Sequence, residues 1–305
     1  MRIAVIGAGG LGGFYGGLLA RAGHDVTFIV RGATLDALAD RGLRVVSADP
    51  ARAFALGAVA ATDDPAAVGP VDVVLHTTKA SGFRAALEAA LPLVGEQTLV
   101  VTVQNGVETP EVAAALIGPA RVVPGIVRVF TRVVEPGVVE FMGGPSTISL
   151  GTYDGRPDPA LDAFAAALSG AGVTVLRPDD IWADLWQKAM YVVPLGGLGG
   201  LTGDPIGVMQ TGGALADAYL AAVGEIEAVG RARGVALPAD AAAATVAFTD
   251  AMPADGTTSM QRDILAGLPS ELDAQVGAVV RRGDAAGVPT PLLDLVLRAL
   301  TARGR

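Results

Sequence analysis

A chain of 305 residues suggests about two domains, because single hydrophobic cores rarely grow beyond roughly 250 to 300 residues. It has no cysteine and only His24 and His76, which excludes disulfides and thiolate chemistry and disfavours a histidine zinc site or a Ser-His-Asp triad. A formal charge of -9 without a basic stripe argues against nucleic acid, and no apolar run of about 20 residues offers a membrane span, so a cytoplasmic enzyme acting on small molecules is expected.

The first elements read clearly in chain order. Arg2 to Ile6 is a short apolar strand, followed by a glycine-rich turn and a helix that Gly23 stops. Asp25 to Val30 is the next strand. The alternation continues with a helix over Thr34 to Asp40 and extended segments over Leu43 to Val46 and Ala51 to Leu56. A buried strand is then expected over Val71 to Thr77, a helix over Phe83 to Leu91, a strand over Thr98 to Gln104, and a helix from Glu108 to Leu116. Arg121 to Phe130, Gly137 to Phe141 and Thr147 to Leu150 read as strands that end the sheet in antiparallel fashion. A helix over Pro157 to Ala167 and an edge strand over Val173 to Leu176 come next.

Beyond Arg177 strand patterns disappear. Helices are expected over Asp184 to Val193, Gly212 to Ala232, Ala239 to Thr249, Thr258 to Ala266, Glu271 to Ala286 and Pro291 to Leu300. The expected organisation is an α/β domain over residues 1–177 and an all-α domain over 178–305, with a cleft between them as the default site.

The glycine turn is Gly7-Ala8-Gly9-Gly10-Leu11-Gly12. In such a strand-to-helix junction the first glycine makes the tight turn, the second lets the backbone approach a pyrophosphate, and the third lets helix pack on strand. The helix N-terminus then presents N–H groups to the phosphates. At the end of the second strand NAD-selective sites place an acid, but here Val30-Arg31-Gly32 carries none before Asp36. Arg31 suits a 2′-phosphate, so NADP(H) is the expected cofactor; the alternative is a solvent-facing arginine at a strand end.

Of the 22 basic residues only Lys79 and Lys188 are lysines, which draws attention to both, although chance survival in an arginine-rich chain explains them equally. Lys79 and Asn105 lie just past strand ends on the expected ligand-binding edge, where each reads as a ligand contact or an exposed loop residue. Lys188 sits in Leu185-Trp186-Gln187-Lys188-Ala189-Met190-Tyr191, on the same side as Asp184, so a surface ion pair competes with a catalytic role. Ser259, Asp263 and Glu271 lie further along the helical half, with Glu271 a candidate carboxylate partner and helix surface charge the alternative for both acids.

Taken in order, the glycine motif, Arg31, Thr78-Lys79-Ala80, Gln104-Asn105-Gly106, Glu135-Pro136-Gly137, Trp186-Gln187-Lys188, and Thr258-Ser259-Met260 with Asp263 and Glu271 resemble the ketopantoate reductase family over essentially the whole chain. The resemblance implies a Rossmann-type NADP-binding domain and a helical domain of the 6-phosphogluconate dehydrogenase C-terminal-like kind. It also implies NADPH-dependent reduction of a 2-oxo acid to a 2-hydroxy acid, 2-dehydropantoate to (R)-pantoate in pantothenate biosynthesis being the named reaction, without a metal, in a homodimer. Lys188 would be the general acid, Glu271 would organise the lysine and the closed complex, Asn105 would bridge cofactor and substrate, Ser259 would touch the substrate, and Lys79 would sit beside both. The family's lysine helix carries asparagines one and two turns after the lysine, where this chain has Val192 and Gly196. That departure keeps a dehydrogenase for another small oxo or hydroxy acid in view; a non-catalytic NADP(H)-binding redox sensor is the further alternative, against which Lys188 and Glu271 argue.

Overall fold

The computed structural model describes residues 1–304, which form two compact units. The first comprises Met1–Gln104 and Thr109–Ile181; the second takes Asn105–Glu108 and the chain from Trp182 onward. No helix among the described residues is long and apolar enough to cross a membrane.

The first unit opens with β1 (Arg2–Ile6), α1 (Gly10–Arg21) and β2 (Asp25–Ile29). It continues through α2 (Ala33–Arg41), β3 (Leu43–Ser47), β4 (Phe54–Leu56), β5 (Ala60–Thr62), α3 (Pro65–Val68), β6 (Val73–His76), α4 (Phe83–Ala89) and β7 (Leu99–Thr102). After α5 (Thr109–Ile117) come β8 (Val122–Arg128), β9 (Thr131–Glu135), β10 (Val138–Phe141), β11 (Thr147–Leu150), α6 (Pro159–Gly170) and β12 (Thr174–Leu176). Eight strands form one sheet in the order β12-β11-β8-β7-β6-β1-β2-β5, parallel except where β11 meets β8. Its central strands are apolar on both faces. Ile3, Val5, Val73, Leu75, Leu99 and Val101 join one core, while Ala4, Ile6, Val74 and Val100 join the other, the period of two that a doubly covered sheet demands.

The strands after Arg121 do not all end that sheet, as the sequence pattern led us to expect. Only β11 returns antiparallel to β8, whereas β9 and β10 make a hairpin that joins β3 and β4 in a separate sheet, β4-β3-β10-β9. The physical reason lies in burial. Most of β9 is exposed, so it cannot continue a sheet covered on both faces, while β10 buries Val138, Val139 and Phe141. Phe141 stacks on Phe14 of α1 with ring centres 5.1 Å apart. Helix α1 thereby lies between two sheets. A side chain at Gly16 would meet Phe28 Cε1 at 2.7 Å on one side, and side chains at Gly13 and Gly17 would meet Val139 and Leu43 at 2.6 and 2.7 Å on the other.

The second unit is built by α7 (Ile181–Thr202), α8 (Ile206–Gln210), α9 (Ala214–Ala232), α10 (Ala241–Asp250), α11 (Ser259–Leu265), a π-helical turn (Asp273–Gly277), α12 (Ala278–Ala286) and α13 (Pro291–Ala302). Trp186, Met190, Tyr219, Ile226, Val276, Val279, Leu293 and Val296 are among its core residues. Two expectations are corrected here. The helix over Asp184 to Val193 runs on to Thr202 through Pro194 and four glycines, and the segment expected to be helical from Glu271 begins as a π turn. Packing overrides the weak helix propensity of those glycines. Side chains at Gly196, Gly199 and Gly200 would strike Met260, Gln261 and Ile264 of α11 at 2.6, 2.7 and 2.8 Å, and one at Gly197 would press on Val296 at 3.1 Å.

Candidate functional site

In the first unit the site elements gather at the C-terminal edge of the parallel strands. Gly7 turns the chain after β1 with a φ of +87°, a conformation that a side chain strains. A Cβ at Gly12 would collide with the Gly7 carbonyl oxygen and with Thr77 Oγ1, so the third glycine is required by the protein's own packing. Gly9 differs. It has an extended backbone, φ -71° and ψ -163°, and a Cβ there would meet no protein atom within 4 Å. Nothing in the protein demands a glycine at 9, and the open space there leaves room for the close approach that a dinucleotide phosphate makes in folds of this kind. Helix α1 has no acidic residue in its first turn and no side-chain cap, so its first N–H groups and positive dipole end suit an anion. A dinucleotide fits this cradle.

The loop after β6 is tied to the cradle. Thr77 Oγ1 lies 2.9 Å from the Ile6 carbonyl and 2.8 Å from the Gly7 carbonyl, donating its hydroxyl hydrogen. The buried Gln104 amide lies across the same edge, its Nε2 donating to the carbonyls of His76 at 2.8 Å and Thr78 at 3.0 Å. Lys79, the next residue, is exposed. His76 is fully buried with its ring 4.3 Å from that of Phe83, and burial lowers its pKa to about 4, leaving it neutral and structural. Arg31 stands apart at the exposed end of β2. Gln104 and Thr77 are the contributors that pattern reading missed as holders of this edge.

In the second unit Lys188 is buried on α7, 9% exposed, with Leu185, Trp186, Ala189 and Met190 buried beside it in the chain. Lysines are rarely buried to this degree, so its side chain lies off the open surface. One turn on, Val192 is half-buried; two turns on, Met260 Cε and Thr258 Oγ1 fill the space a side chain at Gly196 would take. Ser259 begins α11, the helix packed on the α7 glycines, and is itself exposed. Glu271 is half-buried and accepts a hydrogen bond from Gln275 Nε2 at 3.2 Å; Gln275 is fully buried and its Oε1 has no hydrogen-bond partner among the described residues.

Asn105 joins this unit rather than the one containing β7. Its neighbour Gly106, at φ +98°, faces the Ala274 carbonyl so closely that a Cβ would collide with it, and Val107 is buried in the helical core. Glu108 pairs with Arg281 Nη2 at 2.8 Å and Arg282 Nε at 3.0 Å. Its hydrogen bond raises the Arg281 guanidinium further above its ordinary range. The structure thus groups Gly7–Gly12 with the Lys79 loop in one unit, and Asn105, Lys188, Ser259 and Glu271 in the other.

Comparison with known proteins supplies the family. Residues 3–155 match the model of ketopantoate reductase PanE/ApbA, and residues 180–304 match ketopantoate reductase PanE/ApbA C terminal. The chain is 33% identical to a 2-dehydropantoate 2-reductase of Caulobacter vibrioides, covering 98% of each. It is 32% identical to one of Mycobacterium tuberculosis, covering 98% of this chain and 97% of the relative. A crystal structure of 2-dehydropantoate 2-reductase from Geobacter metallireducens superimposes with a TM-score of 0.90 at 31% identity, over 99% of this chain and all of the other. The chain therefore belongs to the ketopantoate reductase family, as an oxidoreductase with an NAD(P)-binding Rossmann-type first domain and an all-α second domain.

Proposed function

We propose that the protein uses NADPH to reduce a 2-oxo acid to the 2-hydroxy acid, with 2-dehydropantoate to (R)-pantoate as the first candidate reaction. The burial of Lys188, one of only two lysines, in an apolar stretch of α7 carries this reading. An ammonium there donates a proton to the substrate carbonyl oxygen and stabilises the alkoxide charge as it develops. Bound NADPH supplies the hydride from nicotinamide C4. Glu271 orients the lysine, the Asn105 carboxamide hydrogen-bonds substrate and cofactor, Ser259 touches the substrate, and Lys79 attracts its carboxylate and neighbours the cofactor. Gly7 to Gly12 cradle the pyrophosphate. Arg31 takes the 2′-phosphate, an assignment supported by its exposed place after β2 and by the absence of an acid before Asp36.

The test is NADPH oxidation with a panel of 2-oxo acids, run beside Lys188→Ala. The variant should lose about 10²- to 10⁴-fold in kcat while NADPH affinity stays near that of the unsubstituted enzyme. Unchanged turnover removes Lys188 from the mechanism, and no oxidation with any acid favours a binding protein that senses NADP(H). NADH titrated in parallel should bind more weakly than NADPH; equal affinities overturn the role of Arg31.

A second reading, a dehydrogenase for another small oxo or hydroxy acid, is favoured by Val192 and by the Met260 methyl beside Gly196. Two acids that differ by one hydroxyl separate the readings, 2-dehydropantoate and 3,3-dimethyl-2-oxobutanoate. An unmet hydroxyl in a buried site costs about 1 to 3 kcal/mol, so preference for the hydroxyl-free acid supports the second reading and the reverse preference supports the first.

A further inference from the structure

The four residues Asn105–Glu108 are the one excursion that the chain makes from the first unit into the second before α7, and each is held differently. Val107 is 2% exposed in the helical core. Gly106 touches the π turn through the Ala274 carbonyl. Glu108 is gripped by two successive guanidiniums, and the first of these, Arg281, also donates from Nη1 to Asp273 Oδ1 at 2.7 Å and from Nη2 to the Asp273 carbonyl at 3.2 Å. The carboxylate is therefore fixed to α12, and the Arg281 guanidinium in turn ties α12 to the π turn against which Gly106 rests. The Asn105 side chain, by contrast, makes no hydrogen bond among the described residues. Its place is set by the backbone of the turn, and the turn is anchored by Val107 and Glu108.

We propose that Glu108 is a positioning residue, whose carboxylate, held by Arg281 and Arg282, fixes the Asn105–Gly106 turn on the helical unit and so presents the Asn105 carboxamide to the 2-oxo acid. The role of Asn105 in this inference rests on the function proposed above. The geometry distinguishes it from an ordinary surface ion pair. Side chains of Glu108 and Arg282 are only 20% and 24% exposed, and the three charges form a network rather than an isolated pair. The network spans 173 residues of sequence to secure a loop of four.

Glu108→Gln keeps the size of the side chain and removes its charge. Amide hydrogen exchange across residues 105–107 should speed up in this variant while the remainder of the protein keeps its protection; unchanged exchange in the loop overturns the clamp itself. In steady-state assays KM for the 2-oxo acid should rise about tenfold, more than kcat falls, with NADPH affinity altered less than twofold, and Glu108→Asp should recover part of the loss. The deciding measurement is the double-mutant cycle with Asn105→Ala, because residues that act through one another are not additive. Glu108→Gln should cost little once Asn105 is already alanine. An equal loss in both backgrounds shows a general structural role and overturns the proposal. Failure of the unsubstituted enzyme to reduce any 2-oxo acid overturns the reductase reading and with it the link to catalysis, while loop exchange still reports on the clamp.

Discussion

The pentapeptide Gly-Gly-Leu-Gly-Gly occurs twice, at residues 9–13 and at residues 196–200, each time inside or at the start of a helix. The two copies serve opposite ends. In the first, Gly12 meets backbone, Gly13 meets the second sheet, and Gly9 meets no protein atom within 4 Å. In the second, Gly196, Gly197, Gly199 and Gly200 meet side chains of neighbouring helical segments. Identical composition thus makes a turn open to a ligand where one glycine has no protein neighbour within 4 Å, and a helix-packing seam where every glycine is met by a side chain. Local sequence does not distinguish them; the preceding element does, a buried parallel strand before one and a lysine-bearing helical turn before the other.

Gly12→Ala should show the largest difference between the two copies. Its methyl would run into the Gly7 carbonyl, a backbone atom that cannot step aside as a side chain can. Overpacking costs about 1 to 3 kcal/mol and occasionally more, with a clash against fixed backbone at the upper end, and the displaced turn should also lose NADPH. Urea denaturation checks the first effect and cofactor titration the second. A Gly12→Ala protein with the stability of the unsubstituted chain would mean that helix and strand do not need this close approach.

Acid should separate the two regions next. His76, beside the Thr77 loop that braces the first copy, has a folded-state pKa of about 4 against 6.5 for a free imidazole. Between these values the unfolded chain binds the proton and the folded one does not. The contribution of this group is therefore complete above about pH 6.5 and is lost as pH falls toward 4, up to about 3 kcal/mol. The helical unit's buried Tyr219, pushed up to about 12 by burial, does not titrate in that window. Stability measured at pH 7 and pH 4.5 should fall less steeply in His76→Gln than in the unsubstituted chain. Equal slopes would show that this histidine is not the acid-labile group.

Much of the architecture is legible in the sequence, for identifiable reasons. The β1-α1-β2 unit combines apolar runs with turn glycines whose spacing has one mechanical meaning, and the structure places all three elements where the pattern puts them. The second sheet is not legible because β9, Thr-Arg-Val-Val-Glu, is a mostly exposed strand with no alternating apolar face, and β3, which joins its hairpin partner β10, lies about ninety residues earlier. The length of α7 is hidden because glycines and a proline count against a helix until the side chains that fill their places are known. At the candidate site the two lysines stand out by rarity, yet the burial of Lys188 and the exposure of Lys79 are tertiary facts. The Glu108–Arg281 pair leaves no local trace, since no short pattern links partners so far apart in the chain.

A smaller effect is expected at Gly9. Its backbone suits any residue and its Cβ position is free of protein, so Gly9→Ala should leave stability within about 0.5 kcal/mol. If the pyrophosphate approaches there, NADPH affinity should fall about tenfold, equivalent to about 1.4 kcal/mol. A loss of affinity without loss of stability is the signature of a cradle, and sets it apart from Gly12→Ala, where both should fall. Unaltered binding would remove Gly9 from the cofactor site.

The smallest change is expected at Gly196, and it probes the seam directly. The atoms in the way are the Met260 methyl and the Thr258 hydroxyl, and the methyl is the end of a flexible side chain. Alanine in a helix interior gains roughly 1 kcal/mol over glycine, which offsets the displacement of Met260. Gly196→Ala should therefore shift stability by less than about 1 kcal/mol, with the unfolding midpoint in urea as the measure. The methyl has to move along α11, beside Ser259, so on the proposed role of Ser259 the KM for the 2-oxo acid should shift even though stability changes little. A large loss of stability would show that Met260 is locked, that the second pentapeptide is as rigidly specified as the first, and that no side chain can be restored two turns beyond Lys188 without rebuilding the packing of α7 on α11.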